Sequence, residues 1–123
     1  MKLTNNFKLS EFNCKCGDNV PDHLLNNVNA LAFMLQRIRD HFKAPVTINS
    51  GYRSPRYNMA IGGASRSFHV SAMAADITIK GCTPVQVLEG ILYLINTGQI
   101  VAGGVKAYET FVHYDIRGSL TLF

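Results

Sequence analysis

Between Met73 and Ile79 the chain reads M-A-A-D-I-T-I, and every second side chain in that run is apolar. Met73, Ala75, Ile77 and Ile79 fall on one face of a strand, and Ala74, Asp76 and Thr78 on the other. A strand with one wholly apolar face lays that face on a core. Two helical patterns supply the cover. Leu24, Leu25, Val28, Leu31, Leu35, Ile38 and Phe42 recur at helical spacing, with Pro21 before them and Pro45 after. Thr83-Pro84-Val85-Gln86 opens a second helix as a capping box with proline at its first position. That helix runs to Asn96, and Gly98 suits its C-terminal cap.

The remaining segments are shorter. Val46–Ser50 alternates as a strand, Pro55 opens a brief helix to about Ala60, and "IGGASRS" is a glycine-rich loop. Strands are expected at about Ile100–Val105 and Thr110–Ile116, with a short one at Leu120–Leu122. The order is helix, strand, short helix, strand, helix, strand, strand. The order predicts an α+β fold, with a mainly antiparallel sheet and helices packed on one face. A chain of 123 residues fits one domain, residues 1–123.

Composition narrows the function classes. The net charge is +4, but the lysines and arginines are scattered and form no basic stripe, so a nucleic-acid partner is not expected. The apolar stretch from Val85 to Ile95 is broken by Gln86, Glu89 and Gly90, so membrane insertion is not expected. "MKLTNNFKLSEF" has no apolar signal segment, and the expectation is a protein cytoplasmic as synthesised. The three cysteines, Cys14, Cys16 and Cys82, are an odd number, which argues against a disulfide framework and favours reduced thiols.

Chemistry enters through the polar faces. Asp76 points away from the apolar side of its strand. In the later strand Phe111, His113, Asp115 and Arg117 share a face, opposite Val112, Tyr114 and Ile116. A single strand histidine is ordinarily structural. His69, Asp76 and His113 together, however, are two imidazoles and one carboxylate, a three-ligand set for a catalytic zinc with its fourth position open. His23 and His41 lie on or beside the first helix and read as surface residues. Tyr108 and Tyr114 read as core aromatics. The rival metal motif, H-x-D with a distant later histidine, is incomplete: no histidine follows His113-Tyr114-Asp115.

"SFHVSAMAAD" resembles the S-x-H-x-x-G-x-A-x-D signature of the zinc D-alanyl-D-alanine carboxypeptidases and related peptidoglycan peptidases, phage endolysins among them. Ser67, His69, Ala74 and Asp76 match in register. "FVHYD" resembles the family's late strand with the second histidine, "INSGYRSPRYN" the segment with a substrate-binding arginine, and "NFKLSEFNCKCG" the opening of the small single-domain branch. The resemblance implies a hedgehog-type fold, one Zn2+ ion held by His69, Asp76 and His113, and peptidoglycan stem peptides as substrate. It implies that Arg53 binds a substrate carboxylate or polarised carbonyl and that Ser67 helps orient substrate or loop. The activity implied is zinc-dependent hydrolysis of a peptidoglycan peptide bond, as a D,D-carboxypeptidase or an L,D- or D,D-endopeptidase. A phage-encoded enzyme reaching the cell wall after release fits that set.

Two positions depart from the family pattern. Ala72 stands where the signature has glycine. Thr110 stands three residues before His113, where better-known branches carry the acid that serves as general base. Asp115 is the expected replacement, since it shares the face of His113, and Glu109 is the second choice, requiring a bulge. Asp115 has a competing role as the partner that holds a ligand histidine. These departures leave an alternative: a catalytically impaired zinc-containing module that binds the cell wall.

Overall fold

The computed structural model describes all 123 residues. A 3-10 turn at Leu9–Phe12 precedes a second at Asp22–Leu24, which leads into helix α1, Leu25–Phe42. Strand β1 is Val46–Ser50, helix α2 Pro55–Ala60, strand β2 Ala74–Ile79 and helix α3 Pro84–Asn96. Strands β3, Gly104–Ala107, β4, Val112–Asp115, and β5, Thr121–Leu122, complete the chain. The sheet order is β1-β2-β4-β3-β5, antiparallel throughout except for the parallel β3–β5 pair.

Local chemistry accounts for the element ends. α1 stops where Lys43 turns left-handed at φ 52, two residues before Pro45. Ser54 caps α2 by accepting from the Tyr57 N–H, with Pro55 at the first helical position. Thr83 and Gln86 form the reciprocal capping box of α3. β4 is shorter than the expected 110–116, and β3 begins four residues later and ends two later than the expected 100–105. Residues before Gly104 leave the ladder, and Tyr114 there donates to the Val101 carbonyl at 2.7 Å.

α1 and α3 pack on one side of the sheet. Val28, Leu31, Leu35 and Ile38 of α1 meet Val87, Ile91 and Leu94 of α3 and the inward residues Ala75, Ile77, Val112 and Tyr114. Each fully buried Leu or Ile contributes about 1.5–3 kcal/mol. This core presses one face of β2 and β4 against the helices and frees the other for the site. Asp76 and His113 are directly opposed across the β2–β4 ladder.

Candidate metal centre and its cleft

Three segments meet on the open face of the sheet. β2 brings Asp76 and β4 brings His113, while the turn before β2 brings His69. That turn is closed by Val70 N–H to Ser67 carbonyl, Ala72 N–H to His69 carbonyl and Met73 N–H to Phe68 carbonyl. Asn27 on α1 ties it down by donating to the Ser71 carbonyl at 2.9 Å. Ala72 takes φ 58 in this turn and is buried. Alanine therefore adopts the left-handed conformation that glycine adopts more readily.

The magnitudes at Ala72 nearly cancel. Left-handed strain of about 1–2 kcal/mol is offset by a buried methyl worth about 0.8 kcal/mol and by the chain entropy glycine would add. Ala72→Gly is therefore expected to shift stability by less than about 1 kcal/mol. Ala72→Val, β-branched at positive φ, should be far more damaging. Thermal melts that rank valine level with alanine would show that this turn is not held left-handed.

The hydrogen bonds around the triad fix its tautomers. His69 Nδ1 lies 2.8 Å from the Gly51 carbonyl oxygen, which can only accept, so Nδ1 carries the proton. His113 Nε2 lies 2.8 Å from Asp115 Oδ2 and donates to it. The free nitrogens, His69 Nε2 and His113 Nδ1, each stand 3.2 Å from Asp76 Oδ1. All three groups are buried, and one ligand atom from each lies within 4.8 Å of the others. Lone pairs converging in this way repel unless a proton or a metal cation lies among them. Two imidazole nitrogens and a carboxylate oxygen are a donor set that suits zinc. Each imidazole is backed by an acceptor on its far nitrogen, as ligating histidines are.

Charge is tuned around this centre. Where protons rather than a metal ion bridge the three groups, burial works against the Asp76 carboxylate, but hydrogen bonds and charge from His113 and His69 outweigh it and hold Asp76 well below the usual carboxylate range. Burial likewise opposes charge on His113, and the hydrogen bonds of Asp115 and Asp76 outweigh it and raise its pKa. Arg53 Nη2 reaches the other oxygen of Asp76 at 3.2 Å, while its Nε donates to Ser50 Oγ at 3.1 Å.

The cleft over the triad has a volume of about 520 Å³. Arg53, Arg66 and Arg117 line it together with Ser67, Phe68, Tyr108, Phe111 and Phe123. Asp76 is the only carboxylate in its wall. Ser67 does border the cleft, and its Oγ accepts from the His69 N–H at 3.2 Å. Tyr114 is buried in the core as expected, but Tyr108 is not: it is 40% exposed and stacks on Phe111 with ring centroids 4.6 Å apart. The β3–β4 hairpin carries both rings to the cleft rim, closed by the Tyr108 N–H to Phe111 carbonyl bond at 2.8 Å.

The expected general bases are not at the cleft. Asp115 is fully buried behind His113. Besides His113 it accepts from Gly104 N–H, Arg117 N–H, Arg117 Nε and Arg117 Nη2, at 2.9, 3.2, 2.9 and 2.7 Å. A carboxylate has about four lone-pair sites, so none is left for a cleft water. Glu109 is exposed in the hairpin turn and does not line the cleft, so no bulge brings it in.

Residues not singled out from the sequence complete the support. Arg117 forks onto Asp115 while stacking over Phe68 at 4.6 Å and Phe123 at 5.5 Å. Gly103 and Gly104 admit this pair. A Cβ on Gly103 would strike the Asp115 carbonyl, and one on Gly104 would strike Arg117 Nη2 and Asp115 Oδ2. Asn58, buried, donates to the Ala64 carbonyl at 2.8 Å and stands 3.4 Å from Arg53 Nη1. The one available sequence signal was Arg117 lying in alternation with His113 and Asp115.

A two-histidine, one-aspartate centre lies at the floor of an open cleft on an α+β scaffold, a donor set that a catalytic zinc takes. The chain matches the family model described as Peptidase M15 over residues 5–115, and it belongs to that family. Among curated proteins none matches the chain. The family match and the triad bear out the resemblance to zinc D-alanyl-D-alanine carboxypeptidases and the mixed fold it implied. The protein is a zinc-dependent metallopeptidase of peptidoglycan-type substrates, with one ion site formed by His69, Asp76 and His113.

Proposed function

We propose that this cleft binds peptidoglycan stem peptides and hydrolyses a peptide bond flanked by a D-amino acid. The observation that carries this reading is the metal triad at the floor of a cleft whose wall holds three arginines and no carboxylate except a ligand. Arg66, and the N–H groups of Arg53 not taken up by Asp76, favour a peptide that carries free carboxylates.

Zinc held by His69, Asp76 and His113 supplies Lewis acidity, polarising a carbonyl and acidifying water. The chain's own groups bind and orient. Arg53, 15% exposed at its side chain, keeps Asp76 in place and turns its remaining N–H surface to the cleft. There it takes a substrate carboxylate or the developing oxyanion. Ser67 sets the turn that presents His69, and its hydroxyl proton is free to donate to substrate. Asp115 is a positioning residue here: it holds the His113 ring with Nδ1 toward the metal site.

The test is digestion of purified peptidoglycan, with and without a chelator, read by mass spectrometry. Expected are released peptides that vanish with chelator and return with added zinc, their termini naming the bond. Identical fragments with chelator would overturn the reading. Bound zinc with wall binding but no released peptide would leave the cell-wall binding module in its place.

A further inference from the structure

We propose that Cys14 and Cys16 form a reversible dithiol–disulfide site, closed by thiol–disulfide exchange with a low-molecular-weight disulfide. The pair is built by a tight turn. Gly17 N–H donates to the Cys14 carbonyl and Cys14 N–H to the Asp18 carbonyl, both at 2.9 Å, with Gly17 at φ 102. The turn folds Cys16 back over Cys14, so that the two Sγ atoms stand 2.7 Å apart. Cys16 N–H also points at Cys14 Sγ, at 3.5 Å. Ser54 Oγ lies 4.0 Å from one sulfur and 3.6 Å from the other.

The two thiols differ in access and in thiolate character, and the lower pKa falls on the buried one. Cys16 is exposed and reachable, whereas Cys14 is buried. Burial opposes a thiolate on Cys14, but hydrogen bonds from the Cys16 thiol, the Ser54 and Cys16 backbone and the Ser54 hydroxyl outweigh it and lower its pKa. The Cys14 contact conversely raises that of Cys16.

The exchange balances in two steps. Cys16, as thiolate, attacks the external disulfide, forming a mixed disulfide and expelling one thiolate, which takes up a proton. The Cys14 thiolate then attacks Cys16 Sγ, forming the internal bond and releasing the second thiol. The protein loses two hydrogens, and one disulfide becomes two thiols.

A structural staple does not fit this spacing. Stabilisation by a cross-link grows with the loop it closes, and a loop with one intervening residue gains little. Strain in so small a ring makes the bond readily reducible, the property of labile rather than structural bridges. The site also has a listener. Ser54 touches both sulfurs and follows Arg53, and Tyr52 N–H donates to the Phe12 carbonyl at 2.8 Å. Closing the bridge withdraws both thiols from Ser54, on the loop that carries Arg53 to the cleft.

The experiment equilibrates the protein in glutathione buffers of graded redox poise, quenches with a thiol-alkylating reagent and weighs the intact chain. Expected at the oxidised end is a mass lower by two hydrogens and loss of two of the three alkylatable thiols. Both should be independent of protein concentration and reversed by reduced glutathione. Cys82→Ser should keep the bridge, and Cys16→Ser should lose it while retaining its zinc. A stable glutathione adduct on Cys16, three thiols still alkylated at the oxidised end, or a bridge that needs Cys82 would each overturn the proposal.

Discussion

Asp115→Asn is expected to weaken zinc binding by roughly 10–100-fold and to lower stability together with it. The carboxylate is the acceptor that fixes His113 Nε2–H, and it also receives the Arg117 fork and the Gly104 N–H. An amide can present an N–H to one of these donors, and it leaves Arg117 beside a neutral group. Breaking a buried pair from one side costs about 3–5 kcal/mol when the partner charge stays buried. Arg117 is 23% exposed at its side chain, so the lower end of that range applies. Zinc titration and kinetics separate the two roles available to Asp115. A positioning residue moves the zinc dissociation constant, and activity recovers at saturating zinc. A general base moves kcat and leaves zinc affinity alone. Unchanged zinc affinity with lost kcat would restore Asp115 as the base.

His113→Ala should remove the metal outright. Two protein ligands remain, and the cavity left on β4 faces Asp76, which then keeps only His69 and Arg53 as partners. Purified variant protein should carry no stoichiometric zinc by elemental analysis and release no peptides from peptidoglycan. The fold should survive, because His113 lies on the face of β4 away from the α1–α3 core. Circular dichroism near that of the parent, with zinc absent, separates loss of the site from loss of the fold. Zinc content and peptide release equal to the parent would remove His113 from the ligand set.

The sequence made some of this legible because alternation is a strict rule. Period-two patterning put Asp76 and His113 on polar faces, and the ladder then set them opposite each other. Capping chemistry placed α2 and α3 at the expected ends. Alternation assigns a face but not a depth. Asp115 shares the face of His113, yet Gly103, Gly104 and Arg117 cover it, and that cover comes from β3 and from beyond the strand. Tyr108 escaped for a related reason. Its apolar ring suggested a core place, whereas a tight hairpin set it on the cleft rim. The parallel pairing of β5 with β3 depends on how the last loop returns, which no local pattern encodes.

The direct opposition of Asp76 and His113 on neighbouring strands ties metal acquisition to folding. A slip of one residue between β2 and β4 would turn one of the two ligands toward the helices. Neither a nascent nor a misregistered sheet can therefore hold the ion. With ligands at 69, 76 and 113, the ion can be captured only after strands far apart in the chain have met in register. The rate of zinc uptake during refolding should therefore report when the central ladder closes.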